Sequence, residues 1–347
     1  MLAVGGAFSL PAAALMARLG MAATLVLAFA TMAAGAALVA WAAASLSYAL
    51  ILAAMGLLAI GATAVQVAGN PLAASRQGRQ GAHVQLALGQ AFNALGVLGG
   101  VHTGAYLMLG GARPPAAAAA AGVSQAYALD SALALLAMVL FGVYRHRLPG
   151  RAAAQAGGGL GRALASRWAW AGALAIALYV GAEGAIGSIL INFLHQPAVL
   201  GLGLAAAGRD VANIYWGGAL AGRCAGSWLL GRCAPARLLA GAAGLAGGLC
   251  LTVALSTGAL AGYAALAIGL CNAIMFPTIF SLTLERCGAH QAGVSGLLCT
   301  AIAGGALVSI AVGAVADHIG LSAAFGVPML AYAAIAGFAL MGRAAAA

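Results

Sequence analysis

The sequence predicts an all-α integral membrane protein with many spans. The chain is 64% hydrophobic and 6% charged, and its mean hydropathy is +1.05. No soluble globular domain has that composition. Apolar runs of about 18 residues or more recur along the whole length, each enough to cross a bilayer as a helix. A membrane β-barrel would instead alternate polar and apolar residues in segments of about ten, and none appear.

The first apolar run, 1–17, lacks the charged leader of a signal peptide and ends in MARLG, where Arg18 is the first charge. Further spans are expected at about 21–44, 48–73, 84–109 and 126–144, with an Ala-rich loop carrying Arg113 before the last of these. Residues 145–168 break the pattern with five Arg, a Pro and a Gly run, and contain no stretch able to span. This segment reads as a cytoplasmic linker between an N-terminal bundle, 1–144, and a C-terminal bundle, 169–347. Six spans follow, at about 169–194, 211–230, 238–256, 259–284, 293–316 and 322–341.

The net charge of +10 comes from 15 Arg with no Lys. Arg18, Arg76, Arg79, Arg145, Arg147, Arg151, Arg162, Arg167, Arg232, Arg237, Arg286 and Arg343 fall on one side of the predicted membrane. Only Arg113 and Arg209 fall on the other, and Arg223 lies within a span. That asymmetry marks the first side, and the C-terminus with it, as cytoplasmic. The basic balance is a topology signal, and no nucleic-acid partner is expected. The six Cys lie in or beside apolar runs with no CxxC, so they read as small free-thiol core residues.

Polar residues inside the spans are the functional candidates. Gln66 and Asn70 lie one turn apart on the third span, and Gln90 and Asn93 lie on the fourth. A side-chain amide in hydrocarbon costs roughly 1–3 kcal/mol unless a partner replaces water. Four of them suggest a polar cavity completed by a hydroxylated solute, although amides also serve as glue between helices. Gly96, Gly100 and Gly104 beside them suggest a packing surface first, since small residues four apart admit a second backbone, and a cavity wall second.

Glu183, about 20 Å along its span, is the acid well inside an apolar run and a candidate proton carrier. Arg223 lies about 12 Å from the end of its span, beside Gly218, Gly222 and Gly226. It reads either as a snorkelling anchor or as half of a buried ion pair, with Glu183 or with a carboxylate outside this sequence. Asn192, Asn213, Tyr215, Trp216 and Asn272 suit a neutral polyol, whose C–H faces stack on rings and whose hydroxyls bond amides. Tyr215 and Trp216 equally fit an interfacial aromatic belt. The sequence contains no HExxH, Walker loop or strand-linked GxGxxG. No enzyme, ATP-driven pump, cofactor or metal site is therefore expected.

The runs QVAGNPLAA and LGQAFNALG resemble the helix 4–5 signature of the fucose–galactose–hexose group of the major facilitator superfamily. YVGAEGAIGSILINF, YWGGALAGR, CNAIMFPTIFSLTL and GVSGLLCTAIAGGALV resemble its helices 7, 8, 10 and 11. The resemblance is closest to bacterial glucose/galactose transporters. It implies twelve helices in two six-helix bundles, a central sugar site and alternating access, with proton symport usual and sodium-coupled members known. Weak internal repeats agree: Asn70-Pro71 and Gly81-Ala82-His83 recur as Phe276-Pro277 and Gly288-Ala289-His290.

Two departures stand out. Fucose:proton symporters carry an acid where this chain has Gln66, as the glucose/galactose branch does not, which argues against fucose. The superfamily's Asp–Arg pair after helix 2 is reduced to Arg18, with Ala17 at the acid position. Eleven spans against an implied twelve lead us to expect that the first helix precedes Met1, against the alternative of a true eleven-span protein. The sequence thus predicts a monomeric, multi-pass hexose transporter of the cytoplasmic (inner) membrane, surrounded by lipid and moving glucose or galactose with a proton. Gln66, Asn70, Gln90, Asn93, Glu183, Asn192, Tyr215 and Asn272 are the candidate sugar ligands, Glu183 the coupling group, and Arg18 and Arg223 the gating or structural charges. The competing expectations are a membrane sugar sensor without transport, or an inactive truncated product.

Overall fold

Hydrocarbon offers a backbone no partner, so each apolar run must satisfy its own N–H and C=O groups by forming a helix. The computed structural model describes residues 2–45, 47–74, 79–109, 116–147, 164–287 and 291–344, and helix is the regular structure throughout them. The first five helices are α1 (Leu2–Leu19), α2 (Met21–Ser45), α3 (Tyr48–Ala74), α4 (Arg79–Leu109) and α5 (Ala116–Val143). A 3-10 turn at Arg145–Arg147 follows α5. Then come α6 (Arg167–His195), α7 (Leu204–Asp210), a π-helical segment (Val211–Trp216), α8 (Gly217–Leu230) and α9 (Pro235–Leu255). The chain continues through α10 (Gly258–Asn272), α11 (Met275–Cys287), α12 (Gln291–His318), α13 (Leu321–Ala324) and α14 (Gly326–Ala344). Among the described residues, eight helical stretches are long and apolar enough to cross a bilayer. The other predicted spans fall on α1, α4 and the α7–α8 run, which are helical as expected. Residues 148–163 of the linker, Arg76, Arg113, Arg151, Arg162 and the Gly288-Ala289-His290 repeat lie outside the described residues.

Three boundaries differ from the sequence reading. The stretch expected as an Ala-rich loop is the first part of α5, which starts at Ala116. Its run of six alanines has the highest intrinsic helix propensity of any residue, and that outweighs its moderate hydropathy. The span expected from 211 begins at Leu204 and passes through the π segment. The span expected unbroken over 259–284 is interrupted at Ala273–Ile274, between α10 and α11. Pro277 explains the break: it has no N–H, and its ring collides with the carbonyl four residues back, at Ala273.

Pro71 meets the same problem differently. α3 continues through it, and the carbonyl it frees, on Val67, accepts a hydrogen bond from the buried Ser295 hydroxyl at 3.0 Å. A neighbouring hydroxyl thus replaces the missing backbone donor.

The chain divides into two compact units. One comprises Met1–Leu72, Gly96–Ser166 and Cys287–Thr300; the other comprises Ala73–Leu95, Arg167–Arg286 and Ala301–Ala347. In the first, α2 packs along α5, where Ser131 donates to the Ala33 carbonyl at 2.9 Å. In the second, α9 packs on α14 and α10, and α14 packs on α6. The Gly218, Gly222 and Gly226 stripe of α8 faces the α10–α11 break. A Cβ on Gly222 would lie 2.6 Å from the Ala273 Cβ, and one on Gly226 would overlap the Ile274 side chain. The glycines on α4 behave otherwise. A Cβ on Gly96 or Gly100 would meet nothing within 4 Å, so the packing surface expected at these two positions is open space; the surroundings of Gly104 lie outside those described.

Candidate functional site

The second unit contains a polar network built from six elements. α6 carries an apolar buried stripe that includes Ile176, Tyr179, Ala182, Ile186 and Leu190 at helical spacing. Glu183 rides on this stripe one turn after Tyr179, whose hydroxyl hydrogen-bonds to the Glu183 carboxyl. Arg223 of α8 brings Nη2 to 3.9 Å from Glu183 Oε1, with the two side chains 11% and 15% exposed. The sequence left two roles open for Arg223, and the ion pair is the one it adopts. The same guanidinium donates through Nη1 to the Gln90 carbonyl of α4 at 3.5 Å. The arrangement is incomplete: Glu183 Oε1 and Arg223 Nε are both buried without a hydrogen-bond partner. A carboxylate acceptor and a guanidinium donor are therefore available at the same place.

On the other side of Glu183 runs a closed chain of hydrogen bonds. The Tyr215 hydroxyl donates to the Glu183 backbone carbonyl at 3.0 Å. Asn272 Nδ2 donates to the Tyr215 oxygen at 3.2 Å, and the Tyr332 hydroxyl donates to Asn272 Oδ1 at 2.7 Å. Tyr215, Asn272 and Tyr332 are all fully buried, so Tyr215 is no interfacial belt residue. The π segment delivers Tyr215 and Trp216 side by side, with ring centroids 5.1 Å apart at 87°. π-helical turns inside α-helices are frequently found at functional positions. Two close approaches fix the place. Gly187 on α6 leaves room for Trp216, whose Cζ2 would lie 3.1 Å from a Cβ there, and Gly269 on α10 admits the Tyr215 carbonyl, which a Cβ would overlap.

The remaining candidates are placed as follows. On α3, Gln66 is exposed and Asn70 is buried, and Asn70 Nδ2 has no hydrogen-bond partner. On α4, Gln90 is half-buried and Asn93 exposed. Asn192 on α6, Asn213 in the π segment and Arg18 at the end of α1 are exposed. Tyr179 and Tyr332 were not singled out from the sequence. The signal for Tyr179 was its position four residues before Glu183; Tyr332 lies in the Ala-rich run LAYAAIAG and gave none.

No protein-family model matches the chain. A glucose/galactose transporter of Brucella abortus is 39% identical over 336 residues, covering 96% of this chain and 81% of that protein. The chain belongs to the major facilitator superfamily. Within that superfamily it groups with the glucose/galactose transporters and fucose symporters. The L-fucose-proton symporter of Escherichia coli is 31% identical over 355 residues, covering 95% of this chain and 80% of its own. A crystal structure of that fucose:proton symporter superposes with a TM-score of 0.88 over 98% of this chain and 89% of the other, at 27% identity. The molecule is a multi-pass membrane sugar transporter and not an enzyme. As a transporter it has no bond-making step to perform.

Proposed function

We propose that the transporter carries glucose or galactose into the cell with a proton, by alternating access, across the cytoplasmic membrane. Its C-terminus lies in the cytoplasm, and the alternating halves are the bundles 1–144 and 169–347, separated in sequence by the linker 145–168. The names of the relatives support the sugar class, and the symporter among them supports the proton. Gln66, Asn70, Gln90, Asn93 and Asn192 are the proposed hydroxyl ligands; Tyr215 and Asn272, whose polar groups bond each other and their neighbours, hold the site's shape.

The observation that carries this reading is the buried Glu183–Arg223 pair with an unmet acceptor and an unmet donor. A sugar hydroxyl both donates and accepts, so one hydroxyl satisfies both groups. Protonation of Glu183 removes its attraction for Arg223 and ties proton occupancy to the side-chain bridge between α6 and α8. Radiolabelled glucose, galactose and fucose uptake in cells lacking their own hexose uptake tests the proposal. The expected result is uphill accumulation of glucose or galactose that an uncoupler abolishes and that persists when sodium is replaced. Dependence on sodium, or accumulation of fucose alone, would overturn it.

A further inference from the structure

Consecutive helices α8 and α9 diverge beyond their connecting turn and leave a cleft of about 550 Å³. Arg232 and Arg237 stand at its mouth, and Leu238, Gly241, Leu245 and Ile274 line its length. Leu245 lies ten residues beyond Pro235, so the cleft reaches about 15 Å along α9. α9 is itself a membrane-crossing helix, which puts the mouth at the boundary between headgroups and hydrocarbon. Trp228 marks the same level: it is exposed, and the Arg232 guanidinium lies 3.9 Å above its ring centroid. A Cβ on Gly241 would meet nothing within 4 Å, so the wall is open rather than filled from within.

Charge identifies the occupant. No acid lines the cleft, and neither Arg232 nor Arg237 has a carboxylate partner among the described residues. Two uncompensated guanidiniums above an apolar channel are complementary to a molecule with an anionic head and a long apolar tail. We propose that the cleft binds one anionic phospholipid, its phosphate held between Arg232 and Arg237 and an acyl chain laid along Leu238, Gly241 and Leu245 to Ile274. Basic clefts between membrane helices recognise anionic headgroups in this way. Ile274 belongs to the break between α10 and α11, so the bound chain also buttresses that break. The inference depends on neither the sugar nor the coupling ion.

Native mass spectrometry of the purified full chain tests the proposal, with phosphatidylglycerol and phosphatidylcholine of identical acyl chains as probes. Phosphatidylglycerol is expected to be retained and phosphatidylcholine lost. An Arg near the surface contributes about fivefold to such binding, so the double variant Arg232→Gln, Arg237→Gln should retain phosphatidylglycerol about 25-fold less. Arg232→Lys, Arg237→Lys should keep most of it. Gly241→Leu leaves both charges and fills the channel; it should reject the long-chain lipid while still binding dihexanoyl phosphatidylglycerol. Equal retention of the two lipids, or wild-type retention by the double Gln variant, would overturn the proposal. So would displacement of the lipid by inorganic phosphate, which would make the cleft a site for a soluble anion.

Discussion

Arg223 on α8 holds its Nη2 3.9 Å from Glu183 Oε1 on α6. The relationship joins two helices through one charge, and one proton can cancel it. With Glu183 charged, Arg223 is held between that carboxylate and the Gln90 carbonyl of α4. With Glu183 neutral, only the contact to Gln90 remains. Glu183→Gln fixes the neutral state. This variant should exchange labelled sugar across vesicles at close to the wild-type rate and lose uphill uptake. Uphill uptake by Glu183→Gln would show that the coupling proton binds elsewhere.

The ligand assignment on α4 is tested by calorimetry. Gln90→Ala and Asn93→Ala each remove one amide, and a typical hydrogen bond contributes about 0.5–1.5 kcal/mol. Each variant should therefore bind galactose or glucose about two- to tenfold more weakly while inserting normally and eluting as a single species. Unchanged affinity in both would remove α4 from the sugar site.

The buried chain from Glu183 through Tyr215 and Asn272 to Tyr332 makes a sharper prediction about stability. Tyr332→Phe removes the donor to Asn272 Oδ1 and leaves that oxygen buried alone. Stranding a buried acceptor costs about 1–3 kcal/mol. Thermal unfolding in detergent should shift downward accordingly, with a smaller relative effect on sugar affinity than Gln90→Ala. A variant with unchanged melting and strongly reduced affinity would instead make Tyr332 a direct ligand.

A double-mutant cycle tests the repair at Pro71. Ser295→Ala strands the Val67 carbonyl that Pro71 leaves free and should lower stability by about 1 kcal/mol. Pro71→Ala restores a backbone donor at position 71, so Ser295→Ala in that background should cost little. Additive effects of the two changes would show that the bond does not compensate for the proline.

The two glycine stripes should respond differently. Gly222→Ala drives a methyl group toward the Ala273 Cβ and the Leu270 carbonyl, and overpacking of this kind costs about 1–3 kcal/mol. Gly96→Ala enters open space and should change melting by less than about 0.5 kcal/mol equivalent. Equal sensitivity at both positions would contradict the packing described for α8.

The spans themselves were legible because hydrocarbon imposes one solution on any long apolar run, and α2, α3, α6, α9 and α12 fall where the sequence placed them. The family signature was legible in the same runs, since it consists of local motifs. Glu183 and Arg223 were identifiable as the ionisable residues deep within spans, because a charge in hydrocarbon always needs a reason. Their partnership was only one of the alternatives the sequence left open, because it depends on which side chains the fold brings together and not on sequence distance. The glycine stripes were equally ambiguous: Gly96-x-x-x-Gly100 and Gly218-x-x-x-Gly222 read alike, and only one faces a neighbouring helix.

Sequence alone therefore determined what each segment must do by itself: form a helix, cross the membrane and carry amides and an acid into it. Tertiary structure decided everything that depends on a second segment. Pro71 and Pro277 show the division most directly. Each removes one N–H and exposes one carbonyl. Ser295 meets the Val67 carbonyl and α3 runs on, whereas the helix breaks at Ala273–Ile274 and places Asn272 at the end of α10, bonded to Tyr215 and Tyr332. Both prolines remove the same backbone donor, yet the helix runs on at Pro71 and is interrupted before Pro277, a difference that local sequence does not encode.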